Sequence, residues 1–404
     1  MRRRKKYRLP GTRTAGCFLW VVFFLMAAMA LWIWWEYRHP EPTAEKPSTE
    51  PARTPTLRMT KPGVGTGNLS TNVATQTVGT TQTSVVTRGN AQTNKLVQPS
   101  DILKHVPNEP VQVISTVDYP RAVQNVFEAQ VALARRHFSA GSIDGIIGSQ
   151  TRRAIKAWQQ NVGLPTTGEL TTVTREKLVL ESSPWATNVV DASDLARLQP
   201  LSASWAGKAQ QTALDYETVL EMLAERSQSN PNLLKQANPG IDWASVKPGT
   251  SISVPDVREA APAEKAGFVL IRLQERTLQV FGEQTNLVAH FPCSIARKVD
   301  KRPVGELKVA VVAPDPDYTF DPAIFPESPE ARQLGTKLVL PPGPNNPVGA
   351  AWIGLDKPGY GIHGTPNPEQ VGRTESHGCF RLANWNAQWL LKAVRIGTPV
   401  YVVD

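Results

Sequence analysis

The chain is 404 residues long and 41% hydrophobic, with a net charge of +9, so it has room for two or three compact domains. Seven of its cations (Arg2, Arg3, Arg4, Lys5, Lys6, Arg8 and Arg13) fall in the first thirteen residues, and without them the net charge is +2. That excludes a spread basic surface and with it a nucleic-acid partner; the basic head reads as a topological signal.

Residues 1–16 form the basic tail, expected in the cytoplasm. Residues 17–35, "CFLWVVFFLMAAMALWIWW", run without a charge, and about 20 apolar residues span a bilayer. Positive charge ahead of the run places the N-terminus inside. A cleaved signal peptide would use Ala28-Met29-Ala30, but the apolar run continues to Trp35, which favours a retained anchor. Trp32, Trp34 and Trp35 fit an outer aromatic belt. The expected placement is a single-pass inner-membrane protein with its C-terminal domains in the periplasm.

Residues 36–118 are rich in Pro, Thr, Asn and Gln, with no aromatic between Tyr37 and Tyr119. Such a segment buries too little apolar surface to offset its ordering entropy. As a coil of about 80 residues it spans roughly 50 Å, a tether between the membrane and the outer domains.

Order is expected from residue 119 to residue 180. Val123, Val126, Phe127, Gln130, Leu133 and Ala134 form a helical stripe. A glycine-rich turn leads to a second helix with Ala154, Ile155 and Trp158 on one face. A third helix comes next, capped by Thr171 or Thr172. Gly141, Asp144, Gly145, Gly148, Thr151, Ala154, Trp158, Gln159, Gly163, Leu164, Thr167 and Gly168 fall in the pattern G-x-x-D-G-x-x-G-x-x-T, A-x-x-x-[FW]-Q, G-L-x-x-T-G. On those residues the segment resembles the small peptidoglycan-binding domain, which implies affinity for wall polymer. A generic three-helix bundle is the plainer alternative.

Residues 212–257 form a second small module. Leu220, Leu223 and Ala224 line one helix, Asn230-Pro231 opens another as N-cap and N1, and "VKPGTSISVP" turns into a strand. The βααβ order and closing turn resemble a LysM glycan-binding module, although the usual Gly-Asp-Thr turn is absent. A structural spacer packed on its neighbour is the alternative.

From residue 266 to residue 404 the pattern is β-rich. "GFVLIRLQERTLQVF", "LVAHFPCSIA", "ELKVAVVA", "AAWIGL" and "PVYVVD" read as strands. A helix over Trp385–Ile396 has Trp385, Trp389, Leu390 and Ala393 on one face and Gly397 just beyond it. The whole chain is read as multidomain α+β.

The chemistry concentrates in "TESHGCFRL". Of the three cysteines, Cys17 lies in the apolar run and Cys293 in a strand, whereas Cys379 stands between His377 and Arg381. A cysteine nucleophile reacts as thiolate and needs a base or positive field; His363, sixteen residues upstream, supplies a second imidazole. Cys379 is therefore expected to be a free, acidic thiol. The Gly378 and Cys379 N–H groups suit an oxyanion hole. A zinc site needs four ligands in a different spacing, and no H-E-x-x-H occurs. A Cys293–Cys379 disulfide and a purely structural turn also remain as alternatives.

Ile362-His363-Gly364-Thr365, then Ser376-His377-Gly378-Cys379 across a gap of ten residues, resembles the I-H-G-T…S-H-G-C signature of the L,D-transpeptidase catalytic domain (YkuD/ErfK type). "PPGPNNPVGAAWIGL" and "RPVGELKV" resemble its strand entry and hairpin, with Arg302 where Thr is usual. The resemblance implies that Cys379 attacks the carbonyl preceding D-Ala in a tetrapeptide stem. His363 would move the proton, oriented by the backbone carbonyl of Gly364, and Gly378 would contribute to the oxyanion hole. Ser376, His377 and Arg381 would bind or orient substrate; Arg381 would lower the thiol pKa or hold a stem carboxylate. No cofactor or metal is implied. The acceptor is a stem amine giving a 3–3 cross-link, an outer-membrane lipoprotein, or water, which would make the enzyme an L,D-carboxypeptidase. A non-catalytic wall-binding anchor is the reading of a different class, disfavoured by the intact Cys379 and His363. The partner is peptidoglycan, through its stems and glycan strands.

Overall fold

A computed structural model describes residues 118–404 of the protein, apart from residues 258, 259, 326, 327, 375 and 377. The basic tail, the anchor at 17–35, linker residues 36–117 and His377 lie outside the described residues. Among those described, no helix is long and apolar enough to cross a membrane.

The N-terminal domain runs through β1 (Arg121–Ala122), α1 (Val126–Ala134), α2 (Ser149–Asn161), α3 (Thr172–Lys177) and β2 (Val179–Leu180), with β1 and β2 antiparallel. Asn125 caps α1 by accepting from the Glu128 N–H, and Thr171 caps α3 by accepting from the Thr174 N–H. In α2, Ala154, Ile155 and Trp158 are buried as the periodicity requires. In α1 the single stripe fails: Ala129, Val131 and Ala132 are as buried as Leu133, because elements pack on more than one side. The motif residues hold the fold. Gln130 Nε2 donates to Asp144 Oδ1 at 2.9 Å and Thr151 Oγ1 at 3.1 Å, and Gln159 Oε1 accepts from the Gly168 N–H at 2.8 Å.

The middle module comprises β3 (Trp185–Val189), α4 (Ala192–Ala196), α5 (Trp205–Gln210), α6 (Val219–Arg226), α7 (Pro231–Ala237) and β4 (Ser251–Pro255). Asn230 caps α7, with Pro231 opening it. β3 pairs antiparallel with β4 and lies upstream of residue 212. The stretch carrying α4 and α5 separates this strand from α6, so the local pattern after residue 212 could not reveal it. Val190, Met222, Leu223, Leu234 and Ile252 make its core.

The C-terminal domain continues as β5 (Phe268–Arg272), β6 (Thr277–Phe281), β7 (Leu287–Pro292), β8 (Gly305–Pro314), β9 (Tyr318–Phe320), α8 (Pro329–Leu334), β10 (Leu338–Leu340), β11 (Ala351–Leu355), β12 (Gly361–His363), β13 (Phe380–Arg381), α9 (Asn384–Ala393) and β14 (Pro399–Val403). Eight strands form one sheet in the order β13-β12-β11-β8-β14-β5-β6-β7. The pairs β12–β13 and β14–β5 are parallel and the rest antiparallel. The sheet curls, so the chain leaving β7 reaches the other edge: Ser294 and Arg381 exchange backbone hydrogen bonds at 2.9 and 3.0 Å. Helix α9 ends three residues earlier than the pattern suggested, and Trp385, Trp389, Leu390 and Ala393 are buried. Gly397, at φ +89°, makes the turn out of it.

The three parts are packed together. The 137–139 segment lies along β7, where the His290 N–H donates to the His137 carbonyl at 2.9 Å and the Ser139 N–H to the His290 carbonyl at 2.8 Å. Trp389 of α9 contacts both His137 and Phe291 by its ring. The middle module joins the catalytic domain through the Leu214 N–H to the Pro342 carbonyl and the Asn345 N–H to the Leu214 carbonyl, at 2.8 and 2.9 Å.

Candidate active site

Parallel strands β12 and β13 bring the two separated motifs together. Ile362 pairs with Phe380 and His363 with Arg381. Side chains alternate across a strand, so Ile362 and Phe380 enter the core while His363 and Arg381 share the other face. Cys379, two residues before Arg381, belongs to that face. On the neighbouring strand Trp352 pairs with His363, and its ring stacks on the imidazole at 5.7 Å between centroids. The indole also covers Gly354 and Gly361; a Cβ on Gly361 would lie 2.6 Å from it.

His363 is buried, and its Nδ1 lies 2.6 Å from the Gly364 carbonyl oxygen. A carbonyl only accepts, so Nδ1 carries the proton and Nε2 keeps its lone pair. Burial lowers the imidazole to about 4; the Gly364 carbonyl opposes that shift and Arg381 adds to it. This histidine rests neutral, able to accept a proton.

Cys379 is half-buried and its Sγ lies 3.6 Å from the Gly359 carbonyl. Burial pushes the thiol up, against smaller downward pulls from the Gly361 backbone and Arg381. This runs against the expected acidic thiol: among the described residues, desolvation outweighs the pull of Arg381 and shifts Cys379 upward. Both Cys379 and Cys293 are free thiols. Cys293 is wholly buried, and burial likewise raises its pKa.

The remaining motif residues divide. The Ser376 hydroxyl donates to the Cys379 carbonyl at 2.5 Å, and its backbone bonds Ile295 and Arg297. Ser376 therefore braces the nucleophile's loop, where the sequence suggested substrate contact. The Gly378 N–H is directed at Ser376 Oγ, at a long 3.3 Å; the Cys379 N–H carries no such competing contact with Ser376. Half-buried Arg381 is less basic than usual because of burial, with Cys379 and Tyr318 nearby as opposing influences. Burial likewise raises Tyr318 to about 12.

Sequence reasoning missed Tyr318, Trp352 and Asn384. Trp352 was findable: one residue before core-facing Ile353, it had to point to the opposite face. Tyr318 sits in a short hairpin that no pattern announced. Among the described residues no group of three metal-ligating side chains occurs.

A half-buried thiol just ahead of β13, and an oriented neutral imidazole on the paired strand β12, suit cysteine acyl transfer. Residues 266–402 match the L,D-transpeptidase catalytic domain and residues 123–178 the "Putative peptidoglycan binding domain". The chain is 31% identical over 183 residues to "Putative L,D-transpeptidase YkuD" of Bacillus licheniformis, covering 45% of this chain and 92% of that one. It is 32% identical over 190 residues to "Probable L,D-transpeptidase YbiS" of Escherichia coli K12, covering 46% of this chain and 60% of that one. An L,D-transpeptidase structure from Mycobacterium smegmatis aligns at 20% identity over 40% of this chain and 65% of that chain, with a TM-score of 0.28. The chain belongs to the L,D-transpeptidase family.

Proposed function

We propose that Cys379 and His363 carry out acyl transfer on peptidoglycan tetrapeptide stems. His363 Nε2 takes the thiol proton as Sγ bonds to the carbonyl carbon preceding D-Ala. Because the imidazole is a weak base and the thiol is raised, proton transfer accompanies attack rather than preceding it. The tetrahedral oxyanion is held by the Cys379 N–H, with Gly378 joining if its contact to Ser376 breaks. The carbon–nitrogen bond then breaks, D-Ala leaves as the amine carrying the proton from His363, and a thioester remains. An acceptor amine attacks that thioester, giving its proton to His363; the thiolate leaves and is reprotonated. A stem amine yields a 3–3 cross-link. Arg381, half-buried and facing the same side as the thiol, binds a stem carboxylate.

The observation that carries this reading is the His363 Nδ1 to Gly364 carbonyl bond, on the strand pair whose shared face also holds Cys379. The test is to incubate the full chain with purified disaccharide-tetrapeptide and track products by mass. A dimer that has lost one D-Ala supports the reading; an unchanged substrate, with wild type equal to Cys379→Ala, would sink it. Release of D-Ala without dimer would instead favour hydrolysis.

The N-terminal domain is proposed to bind the wall, as its match to a peptidoglycan-binding family suggests, and the middle module to be a LysM-like glycan binder, from its paired strands flanking α6 and α7. A retained inner-membrane anchor at 17–35, periplasmic placement and a lipoprotein acceptor are likewise proposals. N-terminal sequencing from membranes tests the anchor: a chain beginning near Leu31 would rule it out.

A further inference from the structure

The catalytic histidine is oriented by the Gly364 carbonyl, which raises the question of what fixes Gly364. Asn384, fully buried at the start of α9, sits against it. A Cβ on either Gly349 or Gly364 would overlap Asn384 Oδ1. That oxygen accepts from the Ala350 N–H at 3.2 Å, and the Gly364 N–H in turn donates to the Ala351 carbonyl at 3.1 Å. Asn384 Nδ2 donates to the Pro344 carbonyl at 3.1 Å and to Glu225 Oε2 at 2.9 Å. Glu225 is on α6, outside the catalytic domain. Its other oxygen accepts from the Tyr216 hydroxyl at 3.1 Å.

We infer that Glu225 of the middle module is a positioning residue for His363, acting through Asn384 and the glycine niche at 349 and 364. The amide of Asn384 has two ends. Without Glu225, Nδ2 keeps one acceptor, the Pro344 carbonyl, and the amide is held less tightly, so Oδ1 fixes less well the backbone whose carbonyl holds the imidazole. Glu225 supplies the second, shorter of its two acceptors from a neighbouring module, so the orientation of the amide is fully set when the module is docked. Burial pushes the Glu225 carboxyl up to about 7, with the Asn384 and Tyr216 bonds opposing; charged or neutral, an oxygen still accepts from the amide. The inference rests on the reading of His363 as the base.

The experiment uses the full-length protein with disaccharide-tetrapeptide and compares Glu225→Ala, Glu225→Gln and Tyr216→Phe. Glu225→Ala should lower kcat about tenfold with KM within about twofold, because misplacing a catalytic group costs rate rather than binding. Glu225→Gln, which keeps an acceptor, should restore kcat to within about threefold, and Tyr216→Phe should leave it unchanged. Nitrogen NMR of His363 should show a smaller fraction protonated at Nδ1 in Glu225→Ala, a change that mere loss of stability would not produce. Should Glu225→Ala fail to fold, Glu225→Met keeps the volume without an acceptor and is read the same way. Unchanged kcat in the Ala or Met variant, or a Gln variant as slow as Ala, overturns the inference. Full activity in His363→Ala would instead overturn the base assignment, whatever the Glu225 series shows.

Discussion

Near each edge of the eight-stranded sheet stands a histidine with a cysteine nearby. On β7 and just beyond it are His290 and Cys293; at β12 and β13 are His363 and Cys379. Both histidines are buried and both held neutral, burial lowering His290 to about 3 and His363 to about 4. The difference is in what surrounds them. His290 Nδ1 lies 3.5 Å from Gln279 Nε2, at the edge of hydrogen bonding, and its Nε2 has no partner among the described residues. His363 has a carbonyl fixing its tautomer. Cys293 points into the core with 0% exposure, whereas Cys379 is only half-buried and feels the charge of Arg381. Burial alone produces neutral, inert side chains; orientation and partial exposure set the pair proposed for catalysis apart.

The largest contrast should come from the cysteines. Cys379→Ala should lose transfer by at least about a thousandfold, since no thioester can form, while Cys293→Ala keeps the wild-type rate. A carbapenem adduct should appear by intact mass and peptide mapping on Cys379 only; modification of Cys293 would break the comparison. Next come the histidines. His363→Ala should cost about 10²- to 10⁴-fold in kcat, and His290→Ala should leave kcat near wild type while lowering the unfolding midpoint. Equal kinetic losses in the two variants would show that position, not orientation, was misread.

A smaller effect sharpens the electrostatics. Arg381 pulls the Cys379 thiol down, so Arg381→Met should move the pH dependence of thiol alkylation upward and slow transfer about tenfold. An unshifted alkylation profile would separate Arg381 from the thiol. Smallest is the acid response. Both histidines fold with pKa values below their unfolded 6.5, so their stability contribution is complete above about 6.5. It declines as pH falls, through about 4 for His363 and about 3 for His290. Thermal melts should therefore weaken progressively below pH 6.5, and the acid limb of kcat/KM should lie near 4 at low temperature. A limb near 6.5 would mean that His363 is solvated in the working enzyme.

Much of this was legible in the residues. The two closely spaced motifs located Cys379 and His363, the two residues proposed for catalysis, since glycines and a serine at fixed spacing serve backbone geometry. Strands β5 to β8, β11 and β14 were readable from alternation and apolar runs, and Thr171 and Asn230 were readable as caps. The thiol's protonation state was not, because desolvation depends on packing that comes from distant segments. The middle module's first strand was hidden by the stretch carrying α4 and α5. Asn384, just ahead of the helix expected from Trp385, carried no signal in the sequence; only the fold brings Gly349, Gly364 and Glu225 to its amide.

The backbone of residues 137–139 runs along β7 and occupies the N–H and carbonyl of His290. An otherwise bare sheet margin is thereby sealed by the wall-binding domain itself. The two domains are consequently not interchangeable cassettes. Swapping in a foreign binding domain, or trimming this one to obtain a minimal enzyme, would unmask a sticky rim and bare Trp389. Proteolysis between the domains would then be expected to yield a catalytic fragment that self-associates, rather than a freely diffusing hydrolase.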